Sequence, residues 1–433
     1  MVEGAAGAAG ALRDTIAALA LTLHPRVLRA AGEGDEGAAL RRALRDAPPA
    51  VAAVERWWTG LARSARDELV RTVPRLIGNL DGVDWADRFA ANAHTVARER
   101  DAVEVALVAH PEDAALRARR RGLKLWASER RVLPDARAGG DRTVRGHDLL
   151  AYDPEEGAVV EYSGPLDDAG RGPWPGLDGL LLYVPGSETA PENIRYETDR
   201  SDALRRDARP RVIGAITWAN ARFPTSLGGA ARGAPAKRWG ARLAHFGRAL
   251  RERFDGDLVA VGYSFGGSIL GSAEALGFAP DRVLHLASAG LGPGVTAPSD
   301  YPRGTDTAHY ALIAPEDSSV GFSQGLQFLA WGHGASPLTA PGVVRLESGY
   351  RVDGEQSSGL VRGHTGVWEP GSGSARQILA VVAGRDAELY AEPTYRGSDP
   401  DTGVARLDSP LHDQGYRPRH IPVPVRTMPS SGS

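Results

Sequence analysis

Cysteine is missing from all 433 residues, which excludes disulfides, thiolate zinc sites, iron–sulfur ligation and a cysteine nucleophile. An excess of either charge is missing too: 51 basic side chains face 54 acidic ones, for a formal net charge of −3. A chain so nearly balanced has no general field with which to hold nucleic acid or an anionic membrane. Long apolar runs are also absent. The longest uncharged stretch, residues 318–344, is filled with glycine, serine, proline, Gln324, Gln327 and His333, whereas a bilayer span needs about 20 mostly apolar residues. The first residues carry no basic n-region, and Arg13 and Asp14 interrupt the only early apolar stretch. Neither a secretory leader nor a membrane span is expected, and the expected compartment is the cytoplasm.

What remains is the make-up of a globular protein, with 42% apolar residues and 53 glycines. Domains run to about 100–200 residues, so the length suggests two or three folding units. Leu12, Ile16, Leu19 and Leu23 mark one face of a helix over residues 9–23. Residues 36–47 and 50–73 read as two more, the second turning Val54, Trp57, Trp58, Leu61 and Leu69 inward. After the turn-rich break Ile77–Gly82, Asp84 is placed to cap a long helix through about residue 109, and another begins near Pro111. The basic run Arg117, Arg119, Arg120, Arg121, Lys124, Arg130 and Arg131 reads as a solvated helix face, with Leu116, Leu123 and Trp126 turned inward. Residues 1–135 are thus expected to be a helical segment.

From residue 141 the texture changes. Asp148–Tyr152 and Ala158–Tyr162 form a hairpin pattern around Pro154–Gly157. Strand patterns then follow at Gly179–Val184, Val212–Thr217, Leu258–Tyr263, Arg282–Ala287, Ala308–Ala314 and Val343–Leu346, with helical patterns between them, notably 236–253 and 265–276. Continuous apolar strands are those that helices cover on both faces. The expected fold class is therefore α/β: a doubly wound, mostly parallel sheet over 141–385, led by a hairpin. Residues 386–433 hold seven prolines and end in Ser-Ser-Gly-Ser, the composition of an extended or disordered tail.

With 25 serines and 53 glycines, chance alone yields about 0.4 occurrences of G-x-S-x-G, so the pattern alone says little. It occurs twice, around Ser264 and around Ser323. Only Ser264 follows a buried strand and precedes a helix rich in small residues, the setting of a nucleophile elbow. Ser323 follows Pro315-Glu316-Asp317-Ser318-Ser319, which cannot be a central strand.

A serine hydroxyl needs a base, and the base needs an acid to hold its tautomer. In this arrangement the chain order is serine, acid, histidine. His285 and His309 fall inside strands, where a core role is expected, and His412 and His420 fall in the tail. His364, in a glycine-flanked loop between the last strand and the helix near Ser374, is the expected base, with His333 second. Asp317 follows strand Ala308–Ala314 directly, at the edge of the sheet where catalytic groups collect, and is the expected acid. Glu316 should point the other way, and Asp353 is a weaker candidate. The oxyanion hole calls for two amides, expected from Phe265 and from Ser187 in Val184-Pro185-Gly186-Ser187. Gly290-Leu291-Gly292-Pro293-Gly294 lacks a following helix, Gly233–Lys237 lacks P-loop spacing, and no H-E-x-x-H occurs, so no cofactor or metal is implied.

Several segments stand out together: Trp57-Trp58, Pro74-Arg75-Leu76-Ile77-Gly78-Asn79-Leu80-Asp81-Gly82, Ala90-Ala91-Asn92, Tyr183-Val184-Pro185-Gly186, Thr217-Trp218, the Ser264 elbow, Ala314-Pro315-Glu316-Asp317 and Gly363-His364. In these segments the chain resembles a bacterial α/β-hydrolase-fold family of largely unassigned function that carries a helical N-terminal segment. Two positions depart from that pattern. Tyr263 stands where such proteins often carry histidine, and Trp368 lies beyond the place where an aromatic often follows the histidine.

The expected function is a serine hydrolase acting on a small-molecule ester or related acyl bond. A peptidase or acyltransferase would use the same triad. The other class is a catalytically idle fold that binds a protein partner through the N-terminal helices. Short spacings from Ser264 to Asp317 and from Asp317 to His364 leave no room for a large inserted cap. The helical segment is therefore expected to cover the site, with Phe322, Phe328 and Trp331 on a pocket wall.

Overall fold

The structure, a computed structural model, describes residues 34–127, 145–314, 317, 332–353, 356–390, 394–395, 416–417 and 421–425. The helix expected over 9–23 lies outside them, as do Glu316, Phe322, Ser323, Phe328, Trp331, His412 and His420.

The described chain opens with helices α1 (Gly34–Asp46), α2 (Val51–Gly60), α3 (Arg63–Thr72), the single turn α4 (Pro74–Ile77), α5 (Trp85–Ala109) and α6 (Ala114–Ala127). The one helix expected over 50–73 is in fact two. Glycine is a poor helix residue, and beyond Gly60 the chain is extended at Leu61, with φ −78° and ψ 141°. Asp84 precedes α5, but its side chain does not cap the helix. The amides of Trp85 and Ala86 donate instead to the carbonyls of Arg171 and Gly170, at 3.4 and 2.8 Å. The Asp84 carboxylate faces Arg66 and Arg253 at 3.5 and 4.0 Å. Asp113 does cap α6, accepting from the amides of Ala115 and Leu116 at 2.8 and 3.0 Å. On the basic face of α6, Arg117, Arg119 and Arg120 pair with Glu112, Glu99 and Glu104, while Leu123 is buried.

Eight strands follow: β1 (Arg145–Asp153), β2 (Ala158–Gly164), β3 (Gly179–Val184), β4 (Ile213–Asn220), β5 (Asp257–Tyr263), β6 (Arg282–Leu286), β7 (Ala308–Leu312) and β8 (Val343–Arg345). They form one sheet in the order β1-β2-β4-β3-β5-β6-β7-β8. The β1–β2 hairpin is antiparallel and joins β4 antiparallel, and every other pairing is parallel. Helices α7 (Arg195–Asp207), α8 (Gly233–Arg251), α9 (Phe265–Glu274) and α10 (Gly373–Ala383) cover the two faces. This is a doubly wound, mostly parallel α/β sheet preceded by helices.

Strand alternation divides the core. Leu180, Leu182, Leu258 and Ala260 enter one cluster with Leu243 and Leu250 of α8 and Ile269 of α9. Leu181, Tyr183, Val259, Val261 and Tyr263 enter the other with Ile378 and Val381 of α10. The first cluster also contains Trp85, Phe89, Val96, Val103 and Leu107 of α5, packed with Tyr152, Tyr162 and Trp218. The remaining N-terminal helices have a smaller core around Val54, Trp58, Leu69 and Ile77.

Three further pairings were not anticipated, one of them Thr394–Tyr395 with Tyr416–Arg417. Strands β9 (Tyr350–Asp353) and β10 (Gln356–Leu360) form a hairpin, and beyond residue 385 Ala387–Glu388 pair with Pro422–Val423. Among the described residues no helix is long and apolar enough to cross a membrane.

The sheet order itself indicates where a site can form. The chain leaves β3 toward β4 on one side, and β5 lies on the other. The connections diverge there, which opens a crevice at the carboxyl ends of β3 and β5. Val184 and Gly262 are paired across that boundary.

Candidate active site

Ser264 follows β5 directly, with φ 54° and ψ −122°. A non-glycine residue in such a region costs about 1–3 kcal/mol and needs surroundings that enforce it. Its amide donates to the Leu286 carbonyl at 2.9 Å, and its carbonyl accepts from Gly267 and Ala289 at 3.1 and 3.0 Å. Gly266 makes the turn sterically feasible, because a Cβ there would stand 2.2 and 2.3 Å from the carbonyl oxygens of Val184 and Pro185. The half-buried Ser264 side chain has no hydrogen-bond partner among the described residues.

The loop after β3 reaches the same point. A Cβ on Gly186 would lie 3.1 Å from the Ser264 Cβ, so only glycine lets the two backbones come this close without displacement. Beyond it, the Glu188 amide donates to the Pro224 carbonyl at 2.8 Å, and the Thr189 hydroxyl donates to the Gly186 carbonyl at 2.8 Å. The amides of Phe265 and Ser187 make no hydrogen bond among the described residues.

His364 Nδ1 and Asp317 Oδ2 are 2.7 Å apart, with the Asp317 side chain buried and the imidazole partly open. The imidazole stacks on the ring of Tyr263, centroids 5.1 Å apart and planes at 24°. Asp317 and His364 are thus in direct contact, and the imidazole lies against the residue that precedes Ser264. A hydrogen bond between the Ser264 hydroxyl and His364 is not among the contacts formed.

The other candidate histidines and the second acid lie elsewhere. Both ring nitrogens of His333 are used, Nδ1 with the Ser268 hydroxyl at 2.8 Å and Nε2 with the Ala230 carbonyl at 2.7 Å, and burial holds its pKa below the ordinary value. His309 Nε2 meets Glu274 Oε1 at 2.8 Å. His285 is buried on β6. Asp353 lies in the β9–β10 hairpin.

A group of residues behind the imidazole had not been anticipated. Arg200 on α7 is held by Glu197 at 3.1 Å, and the Tyr183 hydroxyl donates to the same carboxylate at 2.5 Å. Burial alone would lower the Arg200 pKa, but Glu197 together with Tyr183 and Tyr196 outweighs it, and the guanidinium is held above its ordinary value. Its Cζ lies 4.6 Å from the Trp368 ring centroid and 4.0 Å from that of Tyr196. Trp368 in turn meets Tyr183 and Tyr263 edge-on, at 5.7 and 5.6 Å. Tyr263 and Trp368, both singled out in the sequence, therefore touch each other. Tyr263 was visible in the sequence as an unusual elbow residue; Glu197 and Arg200, three apart on a helix, look like any surface pair.

Among the described residues no group of three or more His, Asp or Glu side chains is placed to hold a metal ion. No family model and no curated protein matches the chain. Among solved structures, the crystal structure of TT1662 from Thermus thermophilus is similar at 15% identity over 48% of this chain and 87% of that one, with a TM-score of 0.27. The fold class rests on the strand order itself.

Proposed function

We propose that the protein is a serine hydrolase that cleaves an ester or related acyl bond through Ser264, His364 and Asp317. The observation that carries this reading is the Asp317–His364 pair, 2.7 Å apart, with its imidazole stacked on the residue next to a strained elbow serine. In the proposed cycle His364 Nε2 takes the proton from Ser264 Oγ as the oxygen attacks the carbonyl carbon. The amides of Phe265 and Ser187 hold the resulting oxyanion. Asp317 accepts from Nδ1–H and keeps Nε2 available. His364 then gives its proton to the departing alcohol, and water repeats the sequence to release the acid. The Ser264–His364 hydrogen bond forms with substrate in place, since such contacts are often loose in the free enzyme.

Residues 1–135 are read as a cover over this edge of the sheet. Two contacts support that reading: Arg45 of α1 pairs with Asp153 at the β1–β2 turn, and Gly122 of α6 packs against Pro191 beyond the Gly186 loop. A peptidase or acyltransferase would use the same three side chains.

The open Ser264–His364 contact is the one observation that favours the second reading, an idle fold that uses its helices to bind a protein. Treatment with a fluorophosphonate separates the two. Covalent labelling of the wild type, abolished in Ser264→Ala and cut at least about a thousandfold in His364→Ala, supports the hydrolase. A folded wild type that takes no label rejects it.

A further inference from the structure

We propose that Tyr263 is a positioning residue that sets the plane and the backbone of His364, with Trp368 and Arg200 bracing it from behind. The inference rests on the serine-hydrolase reading above.

His364 sits in a short loop, and Gly363 just before it has φ 72°. Asp317 bonds one ring nitrogen of the imidazole. A single hydrogen bond fixes one point of a ring and leaves the ring free to tilt about the line through that bond. Attack geometry needs the other nitrogen held within a fraction of an ångström of its target. Tyr263 supplies the missing constraints. Its ring lies nearly parallel to the imidazole at 5.1 Å, which fixes the plane. Its hydroxyl donates to the His364 carbonyl at 3.2 Å, which fixes the main chain. Burial raises the phenol pKa above its ordinary value, so the hydroxyl stays protonated and remains a donor.

The tyrosine is itself held. Strand parity sends its side chain to the α7 and α10 face, opposite to Phe265. There Trp368 meets the ring edge-on with planes at 74°, and the Arg200 guanidinium stands 5.6 Å from its centroid. Trp368 lies only four residues after His364, so the same brace anchors both ends of the histidine loop. The elbow thereby couples nucleophile and base: residue 263 orients the imidazole and residue 264 offers the hydroxyl.

Full-length Tyr263→Phe and Tyr263→Leu test this by fluorophosphonate labelling, separated into the maximal rate and the half-saturating concentration. The maximal rate is expected to fall about tenfold in Tyr263→Phe, which keeps the stack, and about a hundredfold in Tyr263→Leu, which loses it. Half-saturation should stay within about twofold, since substrate-binding groups are untouched. A second readout does not need reactivity. The downfield proton of His364 Nδ1–H, identified by its loss in His364→Ala, should persist in the Phe variant and broaden or vanish in the Leu variant. Wild-type rates and an unchanged proton in both variants overturn the proposal. If the wild type takes no label, the hydrolase reading has failed, and the proton alone decides. Its persistence in Tyr263→Leu then rejects positioning, and its loss supports it. Should the Leu variant not fold, the Phe variant carries the test.

Discussion

His285 and His309 stand side by side on β6 and β7 with ring centroids 6.4 Å apart, yet only His309 has a hydrogen-bonding partner among the described residues. Burial, with a smaller push from His309, lowers the pKa of His285 to about 3. The unfolded chain binds this proton near pH 6.5 and the folded chain only near 3, so between those values the unfolded state holds more protons. Stability is therefore full above about pH 6.5 and falls as the pH drops toward 3. His285→Leu should flatten that dependence, so that urea unfolding at about pH 4.5 and pH 8 gives closer stabilities than in the wild type. Parallel behaviour of the two proteins over that range would clear His285 of the role. At this scale the sequence already placed His285 and His309 in core strands, and put His364 in a loop ahead of the helix near Ser374. Chain order and loop position were enough for that. The Tyr263–His364 stack and the Arg200 brace were hidden, because no sequence spacing links residues 200, 263 and 368.

Among the elements, the strand–turn–helix from β5 to α9 is tightly constrained. Gly266→Ala would drive a Cβ into two backbone carbonyls that the Gly186 loop needs, and neither is the end of a flexible side chain. A loss of several kcal/mol, read as a lower denaturation midpoint, is expected. At the opposite end of the strands, Arg282 is fully buried and bonds both carboxylate oxygens of Asp257 at 2.8 and 2.6 Å, while Arg211 adds a third bond at 2.7 Å. Asp257→Ala leaves Arg282 buried without its carboxylate and should cost about 3–5 kcal/mol. Arg211→Ala should cost less, because Arg282 still satisfies the carboxylate. An Asp257→Ala protein as stable as Arg211→Ala would contradict this. The strands were legible in the sequence because buried parallel strands are continuous apolar runs with glycine or proline at their ends. The β9–β10 hairpin, Tyr-Arg-Val-Asp against Gln-Ser-Ser-Gly-Leu, has no such run and was not found. Asp84 shows the limit of a residue-type rule: it occupies the capping position, but neighbouring carbonyls reach the amides first.

For the whole molecule, the helical segment and the sheet are not separable by burial. Trp85, Phe89 and Val103 lie in the same cluster as Tyr152, Tyr162 and Trp218, and Asn92 Nδ2 donates to the Leu149 carbonyl at 2.8 Å. Deleting residues 1–135 should expose that apolar surface and yield an insoluble or molten product. A soluble, cooperatively unfolding fragment with unchanged substrate preference would show both that the sheet stands alone and that the helices do not cover the site. The shared core also bears on biosynthesis. The ribosome delivers α5 before β1 and β2, and Tyr162 of β2 packs against both Trp85 and Phe89. At about 5–20 residues per second, roughly 4–15 seconds pass before β2 is made and Trp85 and Phe89 can be covered. Nascent chains arrested between residues 110 and 150 should therefore recruit chaperones, and those arrested beyond 290 should release them.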